Sequence, residues 1–234
     1  MEQYRDQFEN IPGGSYTGDY WWKANALYVL ADANLAADST TYNSYITNFI
    51  TGLQKQYSSQ MLDSWNDDKG WLGIAFMQAF KAMGTNSTST FPVAPTVSAG
   101  MNHTGSPALV QDAETLQADI EKSWTPEGGI TWYKPSSGSS WYNPFYRETA
   151  ANMTDAILSA ELYSATRRQS YLDDAMQRFD WEWNTLVLPK GGIAGGTTYG
   201  PGTVLDGVDW NPLSQQNTYP TGGTAQWTYN TVLS

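Results

Sequence analysis

Cysteine is missing from all 234 residues, so neither a disulfide framework nor a thiolate metal site can be built. That absence leaves the redox compartment open. Histidine occurs once, as His103 in a polar stretch, which supplies no imidazole cluster; no metal and no cofactor are expected. Basic residues are scarce: 12 Lys and Arg stand against 23 Asp and Glu, for a formal net charge of −11. Such a chain repels phosphate backbones and anionic lipid, which excludes nucleic acid and an anionic membrane surface as partners. No apolar run is long enough to span a bilayer, and no leader or lipidation motif is visible, so no membrane insertion is expected.

Aromatic residues are abundant instead. Eleven Trp and 15 Tyr exceed what a core of this size needs. About half belong in packing; the rest are free to stack on flat apolar faces such as those of sugar rings. Few charges and many Asn, Ser, Thr and Gly suit hydrogen bonding to hydroxyls. The length fits one sizeable domain over residues 1–234, expected to be a monomer. Asn86-Ser87-Thr88, Asn102-His103-Thr104 and Asn152-Met153-Thr154 match the glycosylation acceptor pattern, and the first two fall in a polar loop that would tolerate it.

The chemistry gathers at Ser64-Trp65-Asn66-Asp67-Asp68-Lys69-Gly70-Trp71, a polar aromatic turn opening into an apolar helix. Adjacent carboxylates repel, and a helix N-terminus offsets this with free N–H groups and its dipole. One reading stops there, with a cap and a first-turn acid. The other is glycoside cleavage by the retaining route, which needs two carboxyl groups roughly 5–5.5 Å apart, one nucleophile and one acid/base. Repulsion between neighbours then helps by keeping one of them protonated.

Apolar spacing predicts helices over about 19–37, 40–56, 67–84, 107–124, 146–166 and 170–186. A seventh is expected to begin near Ala225. On the first helix Trp22, Ala26, Val29, Leu30, Ala33 and Ala37 are expected on one face, and on the fifth Ala150, Met153, Ile157, Ala160 and Leu162. Residues 84–106 and 191–218 read as long loops, and Pro126–Tyr133 as a short hairpin or loop. Ala24-Asn25, Ala33 and Leu35 recur 127 positions later as Ala151-Asn152, Ala160 and Leu162, which points to repeated helical hairpins. The loops before the first, third and fifth helices, and before the start of the seventh, would then meet at one mouth of an all-α toroid.

Tyr20-Trp21-Trp22, Asn66-Asp67-Asp68-Lys69-Gly70-Trp71, Gly128-Gly129-Ile130-Thr131-Trp132, Asn152, Val204-Leu205-Asp206-Gly207 and Gln226-Trp227-Thr228-Tyr229-Asn230 occur in that order. Together they resemble glycoside hydrolase family seventy-six, the endo-α-1,6-mannanases and their fungal cell-wall relatives, over roughly 20–234. The resemblance implies an (α/α)6 barrel and retaining cleavage of α-1,6-linked mannan, with Asp67 as nucleophile and Asp68 as acid/base. It also implies that Trp22, Trp71 and Trp132 line the cleft and that Asn152 and Asp206 make polar contacts. Asn66 and Trp227, inside the matching motifs, complete the expected substrate-binding set. A secreted or cell-wall location follows from the same likeness. Its fungal branch admits transglycosylation between wall glycans as an alternative, and a non-catalytic mannan-binding remnant is a third. Two departures stand out. A Lys-Asn pair common in the family is Arg147-Glu148 here, and about seven helices are counted where twelve close the ring, as if the chain were truncated at both ends.

Overall fold

The computed structural model describes residues 20–57, 64–85, 106–133 and 145–219. The expected start of a seventh helix, with Trp227, lies outside them, as do Asn86, Asn102 and His103. Among the described residues are six α-helices: α1 (Tyr20–Ala36), α2 (Asn43–Tyr57), α3 (Asn66–Thr85), α4 (Ser106–Ile120), α5 (Thr149–Thr166) and α6 (Gln169–Thr185). None is long and apolar enough to cross a membrane.

Side-chain pairs fix the direction of every neighbour. Asn34, near the end of α1, donates to Asn43 at the start of α2 and accepts from the Tyr42 backbone N–H, so α1 and α2 form an antiparallel hairpin. That buried asparagine holds the turn, and α2 begins at Asn43 rather than at the expected position near 40. Lys69 in the first turn of α3 meets Asp119 in the last turn of α4 at 2.8 Å, which makes this pair antiparallel. Thr149 opens α5 and donates to Glu182 late in α6, a third antiparallel hairpin. Gln78 to Asp32 and Lys81 to Glu161 join the later halves of α3 and α1, and of α3 and α5. Hence α1, α3 and α5 run parallel, with their N-termini at one end. Helix α3 sits between α1 and α5, which is the repeat expected of an α/α toroid.

The helix core is built from Leu27, Ala31, Ile46, Phe49, Leu53, Leu72, Ala75, Phe76, Ala79, Leu109, Leu116, Leu158 and Leu162, among others. The expected face of α1 is rotated: Tyr20, Ala24, Leu27, Leu30, Ala31 and Asn34 are buried, while Trp22 is 59% exposed and Val29 57%. Apolar residues occur around most of that helix, so spacing alone does not select a side. Small Ala24 and Ala31 allow close approach to α3, and packing decides. On α5, Ala151 and Leu158 take the core position expected of Ile157 and Ala160, and Ala160 is exposed.

The segments read as loop are the larger surprise. Residues 187–218 carry six short strands, paired β2 (Val187–Leu188) with β5 (Thr203–Val204), β3 (Gly192–Ala194) with β4 (Thr197–Tyr199), and β6 (Gly207–Asn211) with β7 (Gln216–Thr218). Strand β1 (Tyr146–Glu148) replaces the expected first turn of the fifth helix and pairs antiparallel with β6. These strands close over a small second core of Leu186, Ala194, Leu205 and Val208. Glycine at Gly191, Gly195, Gly196 and Gly202 has positive φ, so the composition that reads as loop supplies the tight turns between strands.

Candidate active site

Three backbone segments converge at the shared N-terminal end of α3 and α5. The first is the turn into α3: the Asn66 N–H donates to the Trp132 carbonyl at 2.9 Å and its side-chain amide to the Thr131 carbonyl at 2.6 Å. Asp67 and Asp68 therefore occupy the first turn of α3, both half-buried. There the unfilled N–H groups favour negative charge. The following residue, Lys69, turns back into the protein to reach Asp119. Gly70 and Gly73 bring α3 against α5 so closely that a Cβ on Gly70 would lie 2.5 Å from the Thr154 Cβ.

The second segment is Gly128-Gly129-Ile130-Thr131-Trp132. Both glycines have φ near +87°, and the Trp181 ring lies where their side chains would be. Asn152 pins this turn: its Oδ1 accepts from the Ile130 N–H at 2.8 Å, and its two amide protons go to the carbonyls of Ile130 and Glu148. Asn152 is 0% exposed. Expected to contact substrate, it instead holds the backbone of Ile130 and Glu148, and its glycosylation triplet is closed to modification.

The third segment is β1, whose alternation splits its side chains between two faces. Arg147 goes to one side, donating to the Gly128 carbonyl and to Asn217 while its guanidinium stacks between Trp181 and Trp210. Tyr146 and Glu148 go to the other. The Tyr146 hydroxyl donates to Asp206 at 2.6 Å, and burial together with that carboxylate holds the phenol well above its usual pKa, so it stays protonated. Burial, then the charges of Asp67, Asp206, Asp68 and Glu182, push Glu148 well above the carboxylate range. Glu182 is pushed up to about 8, mainly by burial and further by Asp206, against the lowering effect of the Thr149 hydroxyl.

Aromatic rings wall one side. Trp65 packs on Trp132 and Tyr133 with centroids 4.5 and 4.6 Å away, and Trp132 meets Tyr146 edge-on at 6.3 Å. Of the expected residues, Asp67, Asp68, Trp132 and Asp206 are brought together here. Trp22 stands at the same end of the helices, stacked on Trp21. Asn66 is enclosed and anchors the turn, and Trp71 packs against the helix core. Sequence reading missed Tyr146, and it reached Glu148 only as half of the Arg147-Glu148 departure from the family pattern. The alternation Tyr-Arg-Glu that marks a strand is hidden by its position at the start of a helical pattern. Among the described residues no group of three or more His, Asp or Glu side chains could hold a metal ion.

The raised Glu182 value implies a pH-dependent stability. From 4.5, its unfolded value, to about 8, the unfolded chain has released this proton and the folded chain has not. Stability therefore falls as pH rises through that window, by roughly 1.4 kcal/mol per unit from this group. Chemical unfolding of wild type and Glu182→Gln at pH 5 and pH 8 checks it. The variant should gain on the wild type at the higher pH, and a gap that does not change with pH would refute the assignment.

The fold has counterparts among solved structures, and the sequence has a curated relative. The chain is 28% identical over its full length to a mannan endo-1,6-alpha-mannosidase of Candida glabrata, and it spans about half (48%) of that relative. An alpha-1,6-mannanase structure from Salegentibacter sp. superposes with a TM-score of 0.72 at 20% identity, covering 99% of this chain and 59% of that one. A variant of that enzyme, inactive through replacement of two consecutive aspartates by asparagine and complexed with alpha-1,6-mannotriose, gives 0.71 at 20% identity over 99% and 60% of the two chains. The Dfg5 protein of Chaetomium thermophilum, solved with glucosamine, gives 0.61 at 20% identity over 94% and 48%. The model of glycosyl hydrolase family 76 matches residues 1–233, and the chain belongs to that family.

Proposed function

We propose that this chain cleaves α-1,6-mannosidic bonds of mannan with retention, with Asp67 as nucleophile and Asp68 as acid/base. The observation that carries the reading is the pair of consecutive aspartates in the first turn of α3, facing a buried set of carboxyl groups beside an aromatic wall. In the first step Asp68 gives its proton to the glycosidic oxygen while an Asp67 oxygen attacks the anomeric carbon, and the leaving sugar departs as an alcohol. In the second, Asp68 takes a proton from water, whose oxygen displaces Asp67. The helix N-terminus stabilises the nucleophile as an anion, and the surrounding negative charge favours the protonated form of its neighbour. The inactive double-aspartate variant of the Salegentibacter mannanase, in complex with alpha-1,6-mannotriose, supports the same pair here.

Trp132 and Trp22 are the rings offered to the sugar, with Asp206 and Tyr146 as polar contacts. The enzyme works as a monomer, outside the cell or at the cell wall. Incubating the chain with α-1,6-mannotetraose should release shorter oligosaccharides, with the first-formed products in the α configuration by NMR. First-formed β products would refute retention. Longer oligosaccharides in the presence of excess acceptor would identify transfer, and binding without cleavage would remove the catalytic reading.

A further inference from the structure

Glu148 is 4% exposed, and its Oε2 has no hydrogen-bond partner among the described residues. Its backbone is held on both sides, by pairing with Gly207 and by the Asn152 amide on its carbonyl at 2.7 Å. The side chain is therefore confined to the Tyr146 face of β1. The charged groups that act on it there are Asp67 and Asp68 from α3, Asp206 from the strap before β6, and Glu182 from α6. All four are acids. The neighbouring cation, Arg147, is committed to the opposite face, against Gly128 and two tryptophans.

We propose that Glu148 is a substrate-positioning residue whose Oε2 hydrogen-bonds a hydroxyl of the sugar seated on Asp67 and Asp68. The inference rests on the mannan reading above and adds a residue to it. Burial and the negative charge of Asp67 and Asp206 keep the proton on Glu148, so it offers one O–H donor as well as acceptor sites. Leaving such a group unmatched inside protein is costly, and a ligand that satisfies it recovers that cost. An anionic ligand would be repelled by the charged carboxylates of Asp67 and Asp206. A neutral hydroxyl supplies both donor and acceptor without adding charge. Raising the pH removes the donor and places another negative charge beside the nucleophile, so substrate binding weakens on the alkaline side.

The test is KM and kcat across pH on α-1,6-mannotetraose for wild type, Glu148→Gln and Glu148→Leu. The amide of the Gln variant still donates but cannot titrate. It should keep kcat and the neutral-pH KM within about threefold and lose the alkaline rise in KM. The Leu variant should raise KM about tenfold, the loss of one hydrogen bond to a buried group. An alkaline rise that survives in Glu148→Gln, or a KM unchanged in both variants, overturns the inference while leaving the mannan reading intact. If Glu148→Leu does not fold, the Gln profile alone decides. Wild type that neither binds nor cleaves the oligosaccharide removes both. Calcium uptake by wild type that Glu148→Gln abolishes would replace a sugar hydroxyl with a cation, and would also overturn it.

Discussion

Asp67→Ala and Asp68→Ala should each lower turnover on α-1,6-mannan oligosaccharides by at least about 10³-fold, with the fold intact. Both side chains stand in the first turn of α3. There a partly buried acid contributes at most about 2 kcal/mol through the helix dipole, so a loss of that size with the fold intact is chemical rather than structural. The two variants should fail differently. Without Asp68 the glycosidic oxygen departs unprotonated, and an activated aryl mannoside, whose leaving group needs no proton, should recover much of the rate. Without Asp67 no covalent intermediate forms, and the same substrate should not help. Added azide separates them further. It should displace the enzyme carboxylate in Asp68→Ala to give the α-mannosyl azide, and attack the sugar directly in Asp67→Ala to give the β-azide. Near-normal turnover in either variant, or azide products of exchanged configuration, would break the assignment.

Gly70→Ala should destabilise the protein by about 2 kcal/mol, opposite in sign to the usual gain of roughly 1 kcal/mol for replacing a helical glycine. The new methyl would lie 2.1 Å from the Thr154 hydroxyl and 2.5 Å from its Cβ. Thr154 is buried in α5, and its hydroxyl is bonded to the Ala150 carbonyl at 2.7 Å. Neither helix can yield by turning a side chain, so α3 must move from α5. Because Asp67 and Asp68 lie within one turn of Gly70, that movement shifts them relative to Glu148 and Asp206. A displacement of about 1 Å at reacting groups costs on the order of 10²-fold in rate. Gly73→Ala should be milder, since its new contact is with the Leu158 methyls at 2.5 Å, the end of a flexible side chain. Thr154→Gly should restore part of both losses in the Gly70→Ala background. Chemical unfolding and kcat/KM of the single and double variants measure the coupling, and a more stable Gly70→Ala would show that the two helices are not in this contact.

What the sequence determined by itself is what local chemistry can encode. Six helices were legible because each carries apolar residues at helical spacing and polar punctuation at its ends. The Asp67-Asp68 pair was legible because two acids before an apolar helix need a reason to be tolerated. The toroid was legible from the 127-residue echo, which the parallel alignment of α1, α3 and α5 explains.

Long-range pairing decided the rest. Tyr146-Arg147-Glu148 has no local preference strong enough to be a strand; it becomes one because Gly207–Asp209 arrives to pair with it. That pairing sends Arg147 to the tryptophans and Glu148 to the acids. The family resemblance implies a polar substrate contact at Asn152, and the fold makes it a backbone clamp, because Ile130, 22 residues away, fills its oxygen. Side-chain direction depends on which distant backbone comes to lie alongside, and spacing along one chain does not contain that information.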